Sequence, residues 1–94
     1  MKELFDHVSA RCSKITTREY STSFSLGIKL LAKRFRQPIY AIYGFVRFAD
    51  EIVDSFHNYD KTDLLKKFSA ETYEAIDSGI SLNPILNSFQ HAVN

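Results

Sequence analysis

The sequence predicts an all-α chain of about five helices. Apolar residues recur at helical spacing in five successive segments, and period-two alternation is almost absent. The breaks between segments fall at turn and cap chemistry, at "HNYDKT", at Gly79 and at Asn83-Pro84. With 94 residues the chain holds one small domain at most. A chain this short buries roughly 60–65% of its unfolded surface.

Segment one covers about residues 2 to 16. Leu4, Phe5, Val8, Cys12 and Ile15 fall on one face of an amphipathic helix, and Cys12 reads as a buried small hydrophobe. Segment two starts near "YSTSFS", with Ser21 or Ser23 as its cap, and runs to about Phe35. Phe24, Ile28, Leu31 and Phe35 share its face. Lys29, Lys33, Arg34 and Arg36 gather at its end. Cations suit a helix C-terminus and a solvated face. The sharper alternative is contact with an anion or a membrane surface.

Segment three opens near Pro38, a residue suited to a first helical turn, and runs to about Phe56. Asp60 or Thr62 then caps segment four, which uses Leu64, Leu65, Phe68 and Ile76 and stops at Gly79. Segment five begins at the Asn83 cap and the Pro84 first turn, and continues through Ile85, Leu86, Phe89 and Val93. The chain then ends without a C-cap glycine or a basic last turn, which is expected of a cut through a longer protein. There is no internal repeat and no low-complexity segment.

Composition narrows the function classes. Hydrophobic residues make up 45%, with 8 Phe and 5 Tyr, which suits a packed core and not a disordered chain. A net charge of +1 gives no broad electrostatic grip on nucleic acid. The single cysteine, Cys12, offers no disulfide framework, so a cytoplasmic setting is the default expectation. The first residues carry acids where a signal peptide needs an apolar run. No run approaches the ~20 apolar residues of a membrane span.

Segment three carries the chemistry. In "GFVRFADEIVD", residues 44–54, one arginine and three acids interrupt an apolar stretch. At helical spacing Tyr43, Arg47, Asp50 and Asp54 form one narrow line. Ile42, Val46, Ala49 and Val53 flank it on one side, and Ala41, Phe45, Phe48 and Ile52 lie on the far side. Glu51 sits off the line, near Tyr40 and Gly44. Both apolar faces need partners, which would leave the charged line in a groove between helices.

Three readings of the stripe stand side by side. Arg47 can pair along a solvated face with Asp50, Glu51 or Asp54, each near pair contributing about 0.2–0.5 kcal/mol. The charges can form a buried structural network, costly because each desolvated ion loses several kcal/mol before pairing returns any. Or the line is a ligand site. Asp50 and Asp54 stand one turn apart, and Mg²⁺ prefers one or two carboxylates completed by waters and substrate phosphates. Arg47 on the same line is placed to meet a phosphate oxygen.

The stretches "YSTSFSLGIKLL" and "RQPIYAIYGFVRFADEIVD" resemble the squalene/phytoene synthase family over roughly residues 10 to 60. The resemblance lies in Ser21, Ser23 and Phe24 of Ser-x-Ser-Phe, in Arg36, in the Ala41-Ile42-Tyr43 step, and in Arg47 followed by the DxxxD of Asp50 and Asp54. It implies the N-terminal helices of an all-α isoprenoid synthase fold. It implies head-to-head joining of two prenyl diphosphates, farnesyl or geranylgeranyl, to a squalene, dehydrosqualene or phytoene type of product. Carried over by position, Asp50 and Asp54 would bind Mg²⁺ (or Mn²⁺), and Arg47 and Tyr43 would meet the diphosphate. Ser21, Ser23 and Phe24 would line the substrate site.

Two departures stand out. Glu51 replaces a frequent Asp but keeps the carboxylate, and "LLA" at residues 30–32 replaces a frequent Leu-Leu-Pro. No second Asp-rich motif follows Asp60. The chain is therefore expected to hold one half of a metal site, to be inactive alone and to self-associate. The competing function class is a non-catalytic helical module that binds partner helices. Prenyl chain length, product and any reductive step are not encoded in these residues.

Overall fold

A computed structural model describes residues 1–94. It contains five helices and no strand: α1 (Lys2–Tyr20), α2 (Thr22–Ile28), α3 (Lys33–Asp54), α4 (Lys61–Ser78) and α5 (Pro84–Val93). Helices α1, α3 and α5 pack against one another, α4 leans on α3 and α5, and α2 folds back on α1. The body measures 39 × 31 × 19 Å. Its thin dimension is about two helix diameters of ~10 Å, so α3 is covered on one side only.

The expected inward face of α1 is corrected. Ser9, Ser13 and Thr17 are the residues fully buried, while Leu4, Val8 and Ile15 are exposed and Cys12 is only partly covered. The cause is a close helix crossing. Gly44 of α3 faces Ser13, and a Cβ on Gly44 would lie 3.3 Å from Ser13 Oγ and 3.5 Å from Ile85 Cδ1. Only small side chains permit that approach. Their polarity is largely absorbed locally: the Ser9 and Thr17 hydroxyls donate to Phe5 O and Ser13 O, each at 2.9 Å.

Asn87 of α5, with no exposed surface, closes the same interface. Its side-chain amide donates to Asp6 Oδ1 at 2.9 Å and Ser9 Oγ at 3.1 Å. Its carbonyl accepts from the Ser81 backbone N–H at 3.2 Å and from the Gln90 amide at 3.4 Å. On the other side of α5, Phe89 stacks on Phe45 at 4.0 Å, and Phe45 on Phe68 at 5.4 Å, which ties α5, α3 and α4 together.

The second and third segments divide differently from the sequence expectation. Helix α2 ends at Ile28, so Leu31 and Phe35 are not on its face, and both are exposed. Helix α3 already begins at Lys33 and stops at Asp54, and Pro38 lies in its second turn. There it forfeits one backbone bond. The basic cluster explains the break. Arg36 reaches back from α3 to donate through Nε to Leu31 O at 3.0 Å and through Nη2 to Lys29 O at 2.9 Å. It thereby satisfies the carbonyl of Lys29, the C-cap of α2, as cations at helix C-termini do, and that of Leu31 in the linker beyond. The other caps follow the sequence: Asp60 accepts from Asp63 N–H, Asn83 from Ile85 and Leu86 N–H, and Gly79 ends α4 at φ +72°.

Candidate functional site

Helix α3 presents two different sides. Tyr40, Ala41, Gly44 and Ile52 are buried. Ile42, Val46 and Val53 remain 42%, 47% and 52% exposed. The charged line runs along the border of this open flank. The expected groove is not formed within this chain, because only one apolar side of α3 has a partner. Asp50 and Asp54 are both exposed.

Arg47 is the centre of the cluster. Its Nη2 lies 3.3 Å from Glu51 Oε2 and 3.7 Å from Asp54 Oδ2. Its guanidinium carbon sits 5.1 Å from the centre of the Tyr20 ring. Its Nε is buried and has no partner. The Arg47 and Glu51 side chains are about one-fifth exposed, whereas that of Asp54 is 65% exposed. The Glu51 contact is therefore the firmer of the two. Asp50 makes no ion pair.

Glu51 is held below the usual carboxylate range by the Ser55 hydroxyl first, then by the Tyr20 hydroxyl and Arg47. The same hydrogen bond raises the Tyr20 phenol, aided by burial. The end of α3 is tied down by Lys61, whose Nζ donates to Val53 O and lies 2.8 Å from His57 Nδ1.

The N-terminal motif meets this helix. Ser21 caps α2 and accepts the Phe24 N–H at 3.2 Å. That cap sets the first turn of α2, and Phe24 stacks on Tyr43 with centroids 5.1 Å apart at 26°. Ser23 is exposed and makes no side-chain hydrogen bond to this cluster. The structure thus pairs Arg47 with Asp54, stacks Tyr43 on Phe24 further along the same helix, keeps Asp50 on the exposed border, and leaves Ser23 apart.

One member of the cluster is not singled out by the sequence, whereas Glu51, off the central line, is the i+4 partner of Arg47 that the spacing offers. Tyr20 carries no periodic signal, since it reaches Arg47 only because α1 crosses α3.

No three potential metal ligands converge anywhere in the chain. None of the main cavities includes Asp50 or Asp54. The nearest, about 420 Å³, opens on the Glu51 side among Tyr20, Phe48, Phe56 and Phe68. No helix is long and apolar enough to cross a membrane.

Comparison with known proteins identifies the class. The squalene/phytoene synthase family model matches residues 17–94, and the chain belongs to that family. It is similar to "Phytoene synthase 1, chloroplastic" of Zea mays, with 32% identity over 90 residues, covering 86% of this chain and 21% of that protein. The chain thus spans about a fifth of the length of this curated relative. No solved structure gives a significant match.

Proposed function

We propose that the full-length protein joins two prenyl diphosphates head to head, with residues 1–94 supplying the first acidic half of its site. The observation that carries this reading is the donor set on the open border of α3. Asp50 is an exposed, unpaired carboxylate one turn from Asp54, and Arg47 beside them keeps a buried Nε–H without a partner.

This set fits a magnesium ion (manganese is the alternative). Two carboxylates are what Mg²⁺ takes from protein when substrate phosphates and waters complete its shell. Asp50 and Asp54 would hold it, and when bound it would neutralise charge on a departing diphosphate. Arg47 offers in-plane donors to phosphate oxygens, a contact that strengthens as the leaving group gains charge. Tyr43 and Phe24 present a stacked aromatic surface beside it, suited to shielding an allylic cation. Ser21 holds Phe24 through its cap, and its hydroxyl hydrogen remains available to substrate; Ser23 is exposed in the first turn of α2.

Farnesyl and geranylgeranyl diphosphates are the candidate substrates. The open apolar flank also suits the alternative of a non-catalytic helical module, and one experiment separates the two. In the full-length protein, Asp50→Asn and Asp54→Asn are expected to cut hydrocarbon formation by about a hundredfold or more. Their fold should hold, since exposed carboxylates contribute at most about 1 kcal/mol. Activity within about threefold of the parent in both variants would remove the metal-ligand assignment and favour the module.

A further inference from the structure

We propose that Tyr20 is the positioning residue for Arg47. Its ring supports the guanidinium, so that Arg47 keeps its place when Asp54 engages a cation. The inference rests on the reading of Arg47 as a diphosphate contact.

Arg47 shares one nitrogen, Nη2, between Glu51 at 3.3 Å and Asp54 at 3.7 Å. A cation on Asp54 competes with Arg47 for that carboxylate. Without other support, a long side chain freed from Asp54 would spread over several rotamers. Two contacts remain to hold it: the Tyr20 ring, 5.1 Å from the guanidinium carbon, and Glu51 Oε2, 3.3 Å from Nη2.

A π-face contact suits this task. It restrains the plane of the guanidinium and leaves the N–H edge free to meet an acceptor in that plane. Tyr20 is itself well anchored. It is the last residue of α1, whose seat is fixed by the Ser13–Gly44 crossing, and the next residue, Ser21, donates its backbone N–H to Thr17 O at 2.9 Å.

The test uses the full-length protein and inorganic diphosphate with Mg²⁺, followed by calorimetry, so that binding is read without turnover. Tyr20→Leu should weaken diphosphate binding about tenfold, and Tyr20→Phe, which keeps the ring, by no more than about threefold. In an Arg47→Gln background, Tyr20→Leu should cause no further loss, because it acts through Arg47. If the leucine variant does not fold, Tyr20→Gln replaces it.

An equal loss in both backgrounds, an unchanged affinity in Tyr20→Leu, or a phenylalanine variant as weak as the leucine one would overturn the positioning role. If Arg47→Gln alone binds diphosphate like the parent, or the parent does not bind it, the underlying assignment of Arg47 fails, and this inference fails with it.

Discussion

Truncating Asn87 to alanine tests how α1 is seated, and therefore what places Tyr20 over Arg47. Asn87 is fully buried between α1 and α5, and its amide serves four partners. Removing it strands the partly buried Ser81 backbone N–H, and a fully buried donor left unpaired would cost about 1–3 kcal/mol. The lost bonds to Ser9 and Gln90 add about 0.5–1.5 kcal/mol together, since both partners keep other contacts or are loosely held. The expected destabilisation is thus about 1.5–4.5 kcal/mol at most, against a total of roughly 5–14 kcal/mol for a domain of this size.

Thermal unfolding followed by circular dichroism should show a midpoint lowered by roughly 10–30 °C. The acid limb should change as well. Asp6 is held below the usual carboxylate range chiefly by the Asn87 amide, then by Lys2. A carboxyl with a depressed folded pKa contributes stability above about pH 4, and that contribution fades as pH falls through the folded value. Asn87→Ala should remove most of this acid dependence. A loss below about 0.5 kcal/mol with an unchanged acid limb would refute the network as the device that seats α1.

Tyr20 and Glu51 give a second pH signature. The raised Tyr20 phenol contributes stability that is complete below about pH 10 and is lost as pH rises through the folded pKa. The lowered Glu51 carboxyl contributes above its ordinary range and loses that contribution as pH falls through its folded value. Tyr20→Phe should delete the last tyrosine to titrate in tyrosinate absorbance and flatten the alkaline limb of stability; loss of a tyrosine of ordinary midpoint would count against the Glu51 contact. Residues 1–94 expressed alone should self-associate through the open flank of Ile42, Val46 and Val53, because uncovered apolar surface of this kind promotes association. Light scattering at roughly tens of micromolar checks this, and a monodisperse monomer with concentration-independent unfolding would contradict it.

The sequence announced the helices better than their faces. Caps are local chemistry, so Asp60, Gly79 and Asn83 marked the ends of α4 and α5 correctly. The α2–α3 break was misplaced because Arg36 closes it from a distance, through carbonyls five and seven residues back. The face of α1 was misread because periodicity ranks residues by hydrophobicity, whereas the crossing at Gly44 selects for size. In the candidate site, the line of Tyr43, Arg47, Asp50 and Asp54 was legible as a helical stripe because one helix carries them all. Tyr20 was not, since its contact with Arg47 depends on how two helices cross. The Phe24–Tyr43 stack lies between these cases: both residues were named, but their contact was set by the Ser21 cap.

The exposure of the acidic border also bears on how strongly these residues alone could act on a diphosphate. Two unit charges about 4 Å apart attract by about 1 kcal/mol in bulk water and by about 4 kcal/mol near a protein surface. Asp50 and Asp54 stand at the watery end of that range, and Arg47 is only partly sheltered. Enzymes lower barriers by about 8 kcal/mol or more, so contacts of this strength fall short. What the arrangement gains from exposure is tolerance: carboxylates left in water cost the fold nothing while no cation is bound, and Glu51 and Tyr20 hold Arg47 meanwhile. Covering the Ile42–Val46–Val53 flank with further helices would exclude water from the same border. The same residues, unmoved, would then act in a medium where each contact with a diphosphate is several times stronger. On the proposed reading, the catalytic strength of Asp50, Asp54 and Arg47 would belong to the assembled protein, while their placement is already set by these five helices.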